Sequence, residues 1–137
     1  MHNSLAQWVD QQFLPGELYQ VSFVTPNIGF VAGSNYLFAT TDGGLHWTTR
    51  QSASQIYFLN RSTGLASTYY VNRTTNGGTT WYQTTAPFYG SEYQSFSFID
   101  SLSGWVVGNG GRIMKTTDGG ENWELQQSGT AENLFSV

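Results

Sequence analysis

Apolar and polar positions alternate along this chain with a period of two, in three successive passes. The first runs Val21-Ser22-Phe23, then Gly29-Phe30-Val31-Ala32-Gly33. The second runs Ile56-Tyr57-Phe58, then Gly64-Leu65-Ala66. The third runs Phe96-Ser97-Phe98, then Gly104-Trp105-Val106-Val107-Gly108. In each pass an alternating run is broken by a polar turn, restarts at a glycine, turns again and ends at a Gly-Gly hairpin. Period-two alternation marks half-buried strands, and glycine pairs between such runs mark tight hairpins, so each pass predicts four antiparallel strands.

The hairpins carry one phrase in three copies: Thr40-Thr41-Asp42-Gly43-Gly44-Leu45-His46-Trp47, Thr74-Thr75-Asn76-Gly77-Gly78-Thr79-Thr80-Trp81 and Thr116-Thr117-Asp118-Gly119-Gly120-Glu121-Asn122-Trp123. The tryptophans fall 34 and then 42 residues apart, close to one four-stranded propeller blade of roughly 40 to 45 residues. The sequence therefore predicts an all-β chain: a β-propeller of about three complete blades, with partial blades at both ends. The expected divisions are 1–17 as the outer strand of a preceding blade plus linker, 18–49, 50–83 and 96–127 as blades, 84–95 as an aromatic loop, and 128–137 as the start of a further blade. Trp8-Val9-Asp10 resembles Trp123-Glu124-Leu125, and Leu134-Phe135-Ser136-Val137 resembles Leu18-Tyr19-Gln20-Val21. Closed propellers have typically 4 to 8 blades, so three are expected to need either the rest of a longer propeller or assembly with other chains.

On the third strand of each pass, Leu37, Val71 and Ile113 share a face with Ala39, Arg73 and Lys115, and Phe38, Asn72 and Met114 take the other. The apolar set Leu37, Val71 and Ile113 is expected to form blade-to-blade core. In the hairpin, Asp42, Asn76 or Asp118 is expected to accept backbone hydrogen bonds two residues on, while Gly43-Gly44, Gly77-Gly78 and Gly119-Gly120 supply positive φ. Trp47, Trp81 and Trp123 are expected on the outgoing strand, covering the hairpin. Asn76 preserves the turn but carries no charge, which favours a structural role for the motif over metal binding or acid catalysis.

Composition narrows the function classes. Charged residues are 10% and aromatic residues 16% of 137 residues, with net charge −4. Five Lys and Arg cannot supply the phosphate neutralisation that nucleic-acid binding needs. No apolar run approaches the roughly 20 residues that span a bilayer. Without cysteine there is no disulfide or thiolate chemistry, and no cofactor or metal site is expected. The compartment stays open, with an extracytoplasmic one favoured. Asn60-Arg61-Ser62 and Asn72-Arg73-Thr74 are glycosylation sequons that matter only in a glycosylating host.

The run Gly104 to Trp123 resembles the repeat of the photosystem II stability and assembly factor family of seven-bladed propellers. The shorter hairpin phrase resembles the Asp box, or BNR repeat, shared by sialidases, sortilin-type receptors and some glycoside hydrolases. A sialidase-like reading would imply an arginine triad and a tyrosine nucleophile. Arg50, Arg61, Arg73 and Arg112 show no convergent pattern, and no carboxylates pair at a spacing suited to a glycosidic bond.

A non-catalytic interaction or assembly module is therefore expected, binding a protein partner or other copies of itself. A structural subunit of an extracellular oligomer or filament, and a fragment of a sialidase-like glycoside hydrolase or carbohydrate-binding propeller, are the alternatives. The candidate binding residues are Phe88, Tyr89 and Tyr93, on the connection that lengthens the second interval, with Arg73, Arg112 and Lys115. Aromatic side chains on loops are enriched at contact sites.

Overall fold

The structure is a computed structural model that describes residues 13–34, 36–86 and 92–137. Trp8, Phe88 and Tyr89 lie outside the described residues. The described residues form twelve strands and no helix. They are β1 (Leu18–Phe23), β2 (Gly29–Gly33), β3 (Tyr36–Thr40), β4 (Thr48–Thr49), β5 (Gln55–Phe58), β6 (Gly64–Ser67), β7 (Val71–Thr74), β8 (Tyr82–Gln83), β9 (Tyr93–Phe98), β10 (Gly104–Gly108), β11 (Arg112–Thr116) and β12 (Glu124–Gln126). They build three antiparallel sheets in the orders β1-β2-β3-β4, β5-β6-β7-β8 and β9-β10-β11-β12. The first strands of the sheets lie side by side, β5 between β1 and β9. This is a partial β-propeller of three consecutive blades.

Each blade restarts at a glycine for a steric reason. Gly29, Gly64 and Gly104 pair across the strands with Phe23, Phe58 and Phe98. The phenyl ring lies flat over its glycine, so that an added Cβ would come within 2.4–2.6 Å of it. The same aromatic then packs between blades. Phe30 of the first blade stacks on Phe58 of the second at 4.9 Å and meets Trp81 edge-on at 6.4 Å. Leu65 of the second enters the equivalent socket of the third, against Gly120, Phe98 and Trp123.

The cores lie between blades. One gathers Phe30, Leu37 and Ala39 with Ile56 and Ala66. The other gathers Leu65 and Val71 with Phe96, Val106, Met114 and Trp123. Leu37 and Val71 are fully buried, whereas Ile113 on the third blade is only half-buried.

Two departures from the sequence-based expectation matter for the site. Strand β9 begins at Tyr93, so the connection expected over 84–95 is shorter. Tyr93 is a core residue, 1% exposed, because a bulge carries the strand further than simple alternation indicates. Register shifts leave Tyr19 between Leu18 and Gln20, and Gln94 between Tyr93 and Ser95, without cross-strand partners. A β-bulge of this kind re-aims a side chain and is over-represented beside functional sites.

Candidate functional site

The hairpins close on a threonine. Thr40, Thr74 and Thr116 end β3, β7 and β11 and are buried. Each Oγ1 accepts the N–H of Gly44, Gly78 or Gly120 at 2.9 Å. Each also donates to Oδ1 of Asp42, Asn76 or Asp118 at 2.8–3.0 Å. That same Oδ1 accepts the backbone N–H of the residue four on, His46, Thr80 or Asn122, at 2.9–3.0 Å. The acceptor therefore serves residue i+4, not the residue two on that the sequence suggested, and the hub of the turn is the threonine. The signal was visible as threonine in all three copies. The tryptophans precede β4, β8 and β12, and Trp81 and Trp123 donate their indole N–H to Gly78 and Gly120 carbonyls at 3.1 and 3.0 Å.

These bonds spend the hairpin acids. The backbone N–H of His46, then its ring and the Thr40 hydroxyl, hold the Asp42 carboxyl far below the usual carboxylate range. Partial burial pushes Asp118 up, but the bonds from Asn122, Thr116 and Glu121 outweigh it and the net shift is downward. Groups that stay ionised and fully bonded are turn anchors, poor general acids. Among the described residues no three His, Cys, Asp or Glu stand close enough to hold a metal.

The predicted binding cations do not converge. Arg73, one of the candidate binding cations, has a side chain only 14% exposed. It bridges the second and third blades, with Nε donating to the Gly119 carbonyl at 3.0 Å. Its Nη1 donates to Tyr82 Oη at 2.7 Å and Glu121 Oε2 at 3.1 Å. Tyr82 in turn donates to Glu121 at 2.7 Å, and burial followed by that bond pushes the phenol up. Lys115 lies over the Trp105 ring at 5.7 Å, and Arg112 lines a separate shallow pocket beside Gly110 and Gly111.

Comparison of the two inter-blade clefts exposes a different cationic site. The backbone bonds Arg50 N–H to Leu37 O and Thr84 N–H to Val71 O make Arg50 the counterpart of Thr84. Those from Gly77 to Ser62 and from Gly119 to Leu102 make Arg61 the counterpart of Ser101. Strand register makes Ala39 the counterpart of Arg73. Where Arg73 and Glu121 bridge the second cleft, the first has Ala39 and Thr79. It opens as a cavity of about 330 Å³ lined by Arg50, Arg61, Ser62, Thr41, Asn76 and Thr79, with Gly77 and Gly78 behind them. Both arginines are exposed, and no described residue makes an ion pair or hydrogen bond with either guanidinium. Two guanidiniums beside hydroxyl and amide donors form an anion-accepting surface, suited to a carboxylate.

No family model matches the chain. Over 108 residues it is 31% identical to the photosystem II assembly lipoprotein Ycf48 of Synechococcus sp. (strain CC9902), a match covering 75% of this chain and 22% of that protein. A solved structure of Ycf48 bound to D1 peptide superposes with a TM-score of 0.64 at 24% identity, over 82% of this chain and 41% of that one. Ycf48 from Cyanidioschyzon merolae gives 0.70 at 17% identity, over 90% and 45%. An ancestral GH74 enzyme gives 0.71 at 16% identity, over 96% and 22%. The chain thus spans about a fifth of the curated relative's length and under half of either Ycf48 chain, and the structural likenesses establish the fold alone.

Proposed function

Since the chain belongs to the photosystem II assembly factor-like propellers, we propose that it is a non-catalytic module that binds a segment of a protein partner. Like the Ycf48 that is bound to D1 peptide, it would hold a peptide segment, and it would do so by seating a partner carboxylate between Arg50 and Arg61. The observation that carries this reading is the contrast between the sister clefts. In one, a cation is consumed by the fold, and in the other two cations line an open cavity and are bonded to nothing described.

Fluorescence anisotropy with a labelled D1 peptide, and with a copy whose carboxylates are amidated, tests it. Arg50→Ala with Arg61→Ala is expected to weaken the carboxylate peptide about 10-fold, as loss of partly solvated charge-assisted bonds does. Raised salt should act in the same direction. Unchanged affinity in the double variant, or equal binding of the amidated copy, sinks the proposal.

A second reading concerns the open blade faces. Phe30 and Leu65 are buried in the sockets of the next blades, while their counterpart Trp105 is only half-buried. Phe23, counterpart of the half-buried Phe58 and Phe98, is itself exposed. We propose that these faces receive further blades, from a longer polypeptide or a second copy. Light scattering separates the two: a defined multimer assigns the faces to copies of this chain, and a monomer refutes self-assembly.

A further inference from the structure

The rim opposite the Gly-Gly hairpins, where β1, β5 and β9 begin, holds a second cleft, about 570 Å³ in volume. The first and third blades build its walls with the same device. The carbonyls of Glu17 and Glu92 accept the N–H of Ser34 and Asn109 at 2.7 and 3.0 Å. The bulge residue two positions after each glutamate turns its side chain back onto that glutamate. Tyr19 Oη donates to Glu17 Oε2 at 3.2 Å and meets Ser34 Oγ at 2.7 Å. Gln94 Nε2 donates to Glu92 Oε2 at 3.4 Å and to Asn109 Oδ1 at 3.2 Å. The second blade lacks both the bulge and the acid. In their place Ser54 donates to the Ser67 carbonyl at 3.1 Å, and the Tyr69 ring stands 47% exposed beside Thr68.

This bonding pattern sets what the cleft can take. Tyr19, Gln94 and Ser54 spend their donors inside the protein, on carboxylate, amide or carbonyl oxygens. The spare acceptor capacity of the Glu92 carboxylate remains, with the faces of two exposed tyrosines, Tyr19 and Tyr69, and no described Lys, Arg or His lines the cleft. A cation only donates, so it is served by acceptors and π-faces of this kind. The volume lies in the range of small-ligand sites, roughly 300–1,000 Å³, enough for one long side chain with its flanking backbone.

We propose that this rim cleft binds a cationic side chain, Arg or Lys, of an extended partner segment, with its stem between Tyr19 and Tyr69 and its charge toward Glu92. The site is independent of the arginine cleft, which lies at the other ends of the strands and selects the opposite charge. The two together would fix the direction of a segment carrying both signs.

The test is an NMR titration of the ¹⁵N-labelled protein with the capped tripeptides Ac-Gly-Arg-Gly-NH₂ and Ac-Gly-Glu-Gly-NH₂, and with maltotriose. The arginine peptide is expected to shift the Gln55 and Gln94 side-chain amides and the Ser34 and Thr68 backbone signals saturably, and the other two probes to leave them in place. Glu92→Gln should weaken the arginine peptide about 10-fold, since it removes the charge from the charge-assisted bond. Tyr69→Ser should weaken it severalfold and Tyr69→Phe restore it, because the ring face is what the cation uses. Both positions of change are exposed, and retained backbone spectra confirm the fold of each variant. No shift with the arginine peptide, equal shifts with the glutamate peptide or maltotriose, or wild-type affinity in Glu92→Gln would overturn the assignment.

Discussion

Replacing Thr116 by valine keeps the volume of the side chain and increases its hydrophobicity, yet it is expected to destabilise the protein. Thr116 is 1% exposed, and its hydroxyl accepts the buried N–H of Gly120 at 2.9 Å while donating to Asp118 Oδ1 at 2.8 Å. Valine leaves the Gly120 donor unsatisfied, which costs about 1–3 kcal/mol. The lost bond to Asp118 adds about 0.5–1 kcal/mol, because water reaches that carboxylate. Burying a methyl in place of the hydroxyl returns at most about 1 kcal/mol. The net expectation is a loss of about 2 kcal/mol. Thr116→Ser keeps both bonds and loses one buried methyl, for about 1 kcal/mol. Urea unfolding of the wild type and both variants orders them, with stability following the midpoint at constant slope. If apolar burial governed the hairpin, valine would equal or exceed serine, and that ranking would refute the threonine-centred account of the turn.

Other consequences are as direct. The carboxyl groups of Asp42, Asp100 and Asp118 are held below their ordinary values in the fold. Their stabilisation is therefore complete above the unfolded carboxylate pKa, about 3.9, and is lost as pH falls through the folded values. Asp42→Asn with Asp118→Asn should flatten the acid limb of a stability-against-pH curve, since Asn76 shows that an amide closes the turn; an unaltered limb would contradict this. Arg73→Ala should cost about 2 kcal/mol, because it strips a charged donor from the Gly119 carbonyl. Glu121→Gln, at a half-exposed acid, should cost under about 1 kcal/mol. Equal losses in thermal or urea unfolding would show that the ion pair dominates the latch. Gly78→Ala places a Cβ 2.4 Å from Phe30 Cζ at a φ of 67–81° across the Gly77-Gly78 pair. It should lower the melting temperature more than Gly110→Ala, which has open space around it.

Much of the fold could be read from the chain because its determinants are local. Alternation within Phe96-Ser97-Phe98 and the Gly-Gly phrases set strands and hairpins without reference to distant residues. The errors arise where distant parts meet or where alternation is interrupted. Tyr93 follows an aromatic run that reads as loop, and the bulge at Gln94 breaks the two-residue period that would have extended β9 back to it. Arg73 reads as a binding cation because its carboxylate partner, Glu121, lies 48 residues away in sequence. Arg50 and Arg61 read as scattered charges, and they meet only because the end of the first blade lies beside the first turn of the second. The threonine of the hub stands in all three copies of the phrase, but its bond to the glycine N–H four residues on is set by the closed hairpin and not by residue type.

Hydrogen–deuterium exchange of the protein with and without a bound D1 peptide tests the central claim most directly. Partner binding at the arginine cleft predicts new protection in residues 59–63 and 76–80, the two turns that form its far wall, and loss of that protection in the Arg50→Ala, Arg61→Ala double variant. A bound peptide that protects neither segment would contradict the account.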